Sequence, residues 1–456
     1  MFLIMSVKLV AQAETQHRAL KLRIYSTKEQ EILINKTFGC CRQIYNNRLF
    51  ERNEFYENVI RPEPDKAKQK ELWKTAHFSS EKEMKEKFPY LAEVSAQALC
   101  SARLFAEQAY KNFFSSIKGK RAGTQVGKPK FKSKKSHDFS YRECMNIGLN
   151  WQERTVKVPK LGKVKFRYSG NKKGKLDFFL REGAELKSIT IRKNPAGEYY
   201  AVLLFEREYC HKRKVYEGDE NQVIGLDFSP ADFYINSDGL SGKDYGYVAQ
   251  KQKNLRKLTK LQRRLMRKQA GSANREKARI KVARMEHYIA ECRNDWIEKE
   301  SKRLVSTYQV IGIEDLNLKG MMKFSRNAKN YGDASWGNFV SKLLWKASKN
   351  EYNCQVIKAD RFFASSQICH SCGFKNPLTK NLSVRSWTCP NCGTEHIRDV
   401  NAAINLKENA IKNVGQGVSE IKSVESVEDL AVLALQIGAS DEAENLTGDG
   451  QNAFTR

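Results

Sequence analysis

Val223-Ile224-Gly225-Leu226-Asp227 is an apolar run that ends on an acid. A near copy, Val310-Ile311-Gly312-Ile313-Glu314, follows later in the chain. Both runs are short and rich in β-branched residues, so they read as buried strands. A carboxylate closing such a strand sits at a sheet edge, half out of the core. Burial without a cation or a donor would be costly there. A third acid, Asp399, stands in Arg398-Asp399-Val400-Asn401-Ala402-Ala403. If the three converge, they make a divalent-metal site. After Asp227, the stretch 231–239 suggests a second strand folding back at Asn236-Ser237-Asp238-Gly239. A strand–turn–strand with a carboxylate inside it begins a ribonuclease-H-like α/β fold.

A long helical pair should follow. Leu255, Leu258, Leu261 and Leu265 mark its first helix, Gly271-Ser272 breaks it, and Ala278, Val282, Met285, Ile289, Cys292 and Trp296 mark the second. Between 251 and 284 there are fourteen basic residues and one acid, Glu276. Solvated helix faces usually mix signs, so this one, including Arg263, Arg264, Arg267 and Lys268, is expected to lie along nucleic acid.

Upstream, residues 8–26 alternate as a strand does. Ser26 or Thr27 can cap a helix whose one face carries Ile34, Phe38, Cys41, Tyr45 and Leu49. A second helix is expected after Pro89, with Val94, Ala98, Ala102, Phe105, Ala109 and Phe113. Residues 118–136 hold eight Lys or Arg and no acid, and Phe131 and Phe139 lie in or beside this run. Lys128, Lys130 and Lys132 could hold phosphates while Phe131 stacks on a base. Residues 137–208 read as β, with a hairpin at Asn194-Pro195-Ala196-Gly197-Glu198, as in a small antiparallel barrel.

The formal net charge of +29, from 81 basic and 52 acidic residues, points to nucleic acid rather than to an acidic protein surface. Eleven cysteines without a disulfide framework suit a reducing compartment. Four of them form Cys369-His370-Ser371-Cys372 and Cys389-Pro390-Asn391-Cys392. Each tight turn presents two thiolates to one ion, and four thiolates match tetrahedral Zn²⁺ with no open position for catalysis. His287, His370 and His396 read as ordinary polar residues. The apolar start, Met1 to Met5, lacks the basic n-region of a signal peptide, and the run 430–438 is too short to span a bilayer. A cytoplasmic protein without a membrane segment is expected. Residues 413–456 carry eight acids against Lys422 and Arg456 and read as a mostly disordered tail.

Taken in order, these motifs resemble the transposon-encoded TnpB (OrfB) nucleases and, more distantly, compact type V CRISPR effectors. Ile224-Gly225-Leu226-Asp227, the segment 271–279, Ile313-Glu314-Asp315-Leu316-Asn317-Leu318-Lys319-Gly320-Met321, Ser365-Ser366-Gln367-Ile368-Cys369 and Asp399-Val400-Asn401-Ala402-Ala403-Ile404-Asn405 carry the likeness, over roughly residues 20 to 410. The resemblance implies an N-terminal wedge barrel (1–26 and 118–215) with an inserted helical recognition module (27–117). It implies a RuvC nuclease domain of the ribonuclease-H type (220–365 and 395–412) that carries a zinc ribbon (366–394). The family's catalytic carboxylates fall on Asp227, Glu314 and Asp399. Its partners would be a guide RNA and double- and single-stranded DNA. An Asp commonly precedes the Arg-Asp pair in the family, and Ile397 stands there in this chain.

The residues fit that chemistry directly. Three carboxylates can hold two Mg²⁺ ions about 3.5–4 Å apart for phosphodiester hydrolysis without a covalent enzyme intermediate. The competing readings are a compact CRISPR effector, a guide-RNA-dependent DNA binder without cleavage, and a strand-joining transposase. No sequence feature specifies an oligomeric state.

Overall fold

Of the alternating residues 8–26, Glu14–Tyr25 form strand β1 in a computed structural model of the chain, and residues 8–13 lie outside the described residues. The structure describes residues 14–121, 125–168, 183–209, 214–246, 252–324, 332, 334–381 and 383–414. Two units divide the chain, one of Glu14–Tyr209 and one within Cys210–Ser423.

In the first unit, Thr27 caps helix α1 (Lys28–Phe55) in a reciprocal capping box with Gln30. Ile34, Phe38, Cys41, Tyr45 and Leu49 are all buried, as their spacing requires. Helices α2 (Lys66–Thr75) and α3 (Glu81–Lys87) are additional to the sequence reading. Their caps, Asp65 and Ser80 with Glu83, are nonetheless plain in the sequence. Helix α4 (Ala96–Ile117) starts after Ser95, so Val94 is buried just ahead of it. Strands β2 (Phe139–Glu143), β3 (Gly148–Asn150), β4 (Thr155–Val158), β5 (Gly162–Arg167), β6 (Glu185–Lys193) and β7 (Tyr199–Tyr209) join β1 in one sheet. The order is β2-β6-β7-β1-β5-β4-β3, antiparallel throughout. This sheet stands where the barrel is expected. Leu22, Phe166, Ile189 and Leu203 of the sheet share one core with Phe38 and Cys41 of α1 and Leu99 of α4.

The second unit is built on β8 (Val223–Ser229), β9 (Phe233–Asn236), β10 (Val310–Ile313) and β11 (Gln355–Lys358), in the order β11-β10-β8-β9. β8, β10 and β11 are parallel, and β9 returns antiparallel to β8. The chain reverses between Ser229 and Phe233, earlier than the sequence reading has it; Asn236–Gly239 is the turn that follows β9. The basic pair is α5 (Gln252–Met266) and α6 (Ala273–Thr307). Gly271 between them takes a φ of 78°, and Ser272 caps α6. Arg275 closes this hairpin by donating to the Lys268 carbonyl at 2.7 Å. Helix α7 (Leu318–Phe324) follows β10, α8 (Trp336–Ala347) precedes β11, and α9 (Arg398–Asn413) ends the described chain. The tail from 415 onward lies outside the described residues.

Strand periodicity sorts the sheet faces. Ile224, Leu226, Ile311 and Ile313 pack with Ile297 and Leu304 of α6 and with Phe339 and Leu343 of α8. Their neighbours Val223 and Val310 pack with Ala410 of α9. Glycine is what allows α9 to come so close. A Cβ on Gly225 would lie 1.9 Å from the Ala403 carbonyl oxygen, and one on Gly312 would lie 2.4 Å from that of Leu406. No described helix is long and apolar enough to cross a membrane.

Candidate active site and metal centre

Successive strand residues alternate faces. Asp227 therefore shares the face of Gly225, and Glu314 follows on the face of Gly312; both faces look toward α9. The parallel register pairs Leu226 with Ile313, which brings the next residues of each strand, Asp227 and Glu314, to the same level. Asp399 lies in the first turn of α9. The sequence thus brings its three acids to one end of the sheet.

Their electrostatics report the same neighbourhood. Burial pushes the Asp227 carboxyl well above the usual range, and the charges of Glu314 and Asp399 push it further. Asp227 keeps some solvent access even though protein crowds it. Glu314 is likewise raised by burial, against the opposing pull of a hydrogen bond from Ser365 and the charge of Arg398. Ser365 Oγ donates to Glu314 Oε1 at 2.5 Å. Arg385 Nη1 donates to Asp399 Oδ2 at 3.3 Å. Arg398 is buried and offsets the charge of both Asp227 and Glu314. The oxygen donors and their shared negative charge fit a hard divalent cation. Among the described residues the carboxylates do not crowd as tightly as the cysteines, whose four sulfurs lie within 4.8 Å of one another.

Cys369, Cys372, Cys389 and Cys392 come together as their spacing predicts. Two knuckle turns supply the sulfurs. Gly373 donates to the Cys369 carbonyl at 2.8 Å and Gly393 to that of Cys389 at 2.9 Å, each glycine with a φ near 75°. A hairpin of β12 (Ser386–Thr388) and β13 (Glu395–Ile397) carries the second turn. The Thr394 hydroxyl and backbone amide draw the Cys392 thiol down to about 6, the direction a thiolate ligand needs. Burial holds Cys369 up at about 11. This donor set fits Zn²⁺.

The sequence reading misses the joints that seat the cysteine ribbon. His396 is buried, and its Nε2 lies 3.1 Å from Cys369 Sγ. Asn401 Oδ1 accepts from the His370 backbone amide and lies 3.0 Å from His370 Nδ1. Asn405 Nδ2 donates to the carbonyls of Ser365 and Ile368, each at 2.7 Å. Asn401 also donates to Ile368. Two buried asparagines four residues apart on α9, just after Asp399, are the available signal, because buried amides need partners.

The nucleic-acid candidates are exposed, but one of them turns back on the protein. Arg263, Arg264, Arg267 and Lys268 are exposed at the end of α5 and just beyond it, and Lys128, Lys130 and Phe131 in the basic segment. Lys132 is exposed as a residue, yet its ammonium folds inward. That ammonium lies 4.2 Å over the Tyr45 ring, desolvation lowers its pKa, and the Lys132 backbone pairs with Asn46. Phe139, partly buried, stacks on Phe38 at 5.7 Å and packs against the core of the first unit.

Three family models match the chain. One described as a helix-turn-helix domain covers residues 16–61, which here form β1 and α1. One described as a probable transposase, OrfB_IS605, covers 208–325, and one described as a Cas12f1-like TNB domain covers 336–406. A Streptomyces pristinaespiralis protein named "Putative RNA-guided DNA endonuclease" is 31% identical over 390 residues, covering 85% of this chain and 88% of its own. The Escherichia coli K12 protein of that name, InsQ, is 27% identical over 410 residues, covering 85% and 91%. A solved chain from a Cas12f1–sgRNA–target DNA complex aligns with 86% of this chain and 99% of its own, at 13% identity and a TM-score of 0.31.

Proposed function

The chain belongs to the OrfB (TnpB) family, and from that premise we propose that it is an RNA-guided DNA endonuclease of transposon origin that hydrolyses phosphodiester bonds. The observation that carries this reading is the level pairing of Asp227 and Glu314 on the α9 face, with Asp399 on α9 itself. Burial raises the Asp227 carboxyl, and the charges of Glu314 and Asp399 raise it further. In this reading the sheet of β8–β11 with α6, α8 and α9 is a RuvC domain of the ribonuclease-H type, and the cysteine hairpin is its structural zinc ribbon. The first unit supplies the wedge and the helical recognition module.

Asp227, Glu314 and Asp399 would hold Mg²⁺, which when bound supplies an activated water and charge relief at the leaving oxygen. The remaining work belongs to the protein. Ser365 orients Glu314 through its hydroxyl, and its own carbonyl is held by Asn405 on the helix that bears Asp399. Arg385 steadies Asp399. Buried Arg398 moderates the repulsion between Asp227 and Glu314. The exposed cations of α5 and of the basic segment grip backbone, which suits a protein whose sequence choice is delegated to a guide RNA. The reducing cytoplasm suits the free thiols.

The test is cleavage of a matched DNA target by the protein purified with its own RNA, in Mg²⁺. Asp227→Ala, Glu314→Ala and Asp399→Ala should each abolish cutting while leaving RNA and zinc content intact. Undiminished cutting by Asp227→Ala would refute the site. Strand-joined products in place of simple cuts would favour a transposase, and target binding without cuts would favour a binding protein.

A further inference from the structure

The turn that follows β11 is fastened at one end to Asp315 and at the other to its neighbour Glu314. Arg361 Nη2 donates to Asp315 Oδ2 at 3.0 Å, and Lys358 Nζ lies 3.7 Å from the other oxygen of that carboxylate. Four residues beyond Arg361, Ser365 donates to Glu314. Residues 361–365 therefore arch over the Glu314-Asp315 dipeptide. The arch is also stiffened from within. Asp360 accepts from the backbone amide of Phe362 through its side chain at 2.8 Å and from that of Phe363 through its carbonyl at 3.0 Å, and Ser365 donates its amide to Phe363 at 2.9 Å.

At the outer position of this arch stands Phe362, with 89% of its surface exposed, more than any other large apolar side chain among the described residues. Single exposed apolar residues are ordinary. This one differs in its setting. A fixed turn holds it, cations precede it at Lys358 and Arg361, and the residues it arches over include the proposed catalytic Glu314. An exposed aromatic face beside cations is a construction that receives an unpaired base, since every base offers a π-face and its phosphate a charge.

We propose that Phe362 is a substrate-binding residue that stacks on one base of the single strand entering the acidic site, and so fixes which phosphate comes to rest there. This rests on the reading of Asp227, Glu314 and Asp399 as the cleavage site. A stacked base at a fixed offset from Glu314 would set the register of the cut without reading sequence.

The ribonucleoprotein with its own RNA tests this, using Phe362→Ala, Phe362→Trp and targets bearing one abasic site at successive positions of the cut strand. Phe362→Ala should slow cutting about tenfold, within the range of a missing base–aromatic stack, and should blur the cut position. Phe362→Trp should restore both. One abasic position should slow the wild-type protein by the same factor and add nothing in Phe362→Ala. Wild-type rate and cut position in Phe362→Ala, or abasic losses that multiply in full on that variant, would overturn the proposal. A binding arm separates this outcome from failure of the nuclease reading. Single-stranded DNA with 2-aminopurine at successive positions should be quenched by the Phe362→Trp protein at one position only. Uniform quenching, or Phe362→Ala binding as tightly as wild type, would overturn the stacking role even if no DNA is cut.

Discussion

Glu143 shows how far a single buried group can set the behaviour of its unit. It has no accessible surface; Ser95 donates to one carboxylate oxygen at 3.0 Å, and the other has no partner among the described residues. Cys41 and Tyr141 lie near enough to feel its charge, and neither offers it a positive one. Burial pushes its carboxyl up to about 7, against 4.5 for an unperturbed glutamate. A folded value above the unfolded one means that the folded state binds the proton more tightly. The stability this group confers is full below pH 4.5 and is lost as pH rises through about 7. Glu143→Gln keeps the neutral form at every pH. It should match the wild type at pH 4.5 and exceed it above pH 7. The shift corresponds to about 3 kcal/mol. Urea unfolding of both proteins on either side of neutrality checks this; parallel pH profiles would show that the carboxyl does not carry the dependence.

At the scale of elements, α9 is the piece on which the acidic site depends, and two glycines let it in. Gly225→Ala would drive a Cβ to 1.9 Å from the Ala403 carbonyl oxygen and 2.6 Å from the Lys407 nitrogen. Both are backbone atoms, so the helix itself must move, and Asp399 moves with it. The expected cost is about 3 kcal/mol or more, in the range of severe overpacking. A thermal melt and a cleavage assay on Gly225→Ala measure it, and a fall in cutting greater than the loss of folded protein would mark displacement of Asp399. This dependence explains what is legible in the sequence. Strand period and the Val-Ile-Gly-X-acid repeat disclose β8, β10 and the two acids they bear, because a buried parallel strand must be nearly all apolar. The cysteine pairs disclose the ribbon because a tetrahedral ion dictates its spacing. The joints are not legible. Ser365 on Glu314, Asn405 on the 365–368 loop and His396 on Cys369 are each an ordinary polar residue until the fold brings a partner. The sequence places the reversal after β8 a few residues late because Asn236-Ser237-Asp238-Gly239 is the stronger turn signal, although the chain turns back at Ser229–Phe233. Lys132 reads as a phosphate ligand in the sequence, but the Tyr45 ring and Asn46 hold it at the protein.

For the whole molecule, charge is the dominant quantity. A net +29 strains any compact state by self-repulsion, and a polyanion relieves it. The cations are not spread evenly. Fourteen fall between 251 and 284 with one acid among them, a stretch that holds α5 and the start of α6. If this hairpin grips backbone, binding is driven by counterion release, and the logarithm of affinity falls linearly with the logarithm of salt. Replacing Arg263, Arg264, Arg267 and Lys268 together by Gln should then weaken RNA and DNA alike, with little dependence on sequence. The slope of the salt plot should shrink by roughly 3, from ~0.7 to ~0.9 for each phosphate no longer neutralised. These side chains are exposed at and just beyond the end of α5, so melting temperature should hold while affinity falls. Fluorescence anisotropy across a salt series on both proteins supplies the two slopes. Equal slopes would mean that these four cations face solvent in the complex and that the nucleic acid lies elsewhere on the basic surface. A smaller slope with unchanged preference for the matched target would assign them to grip and leave sequence choice to the paired RNA.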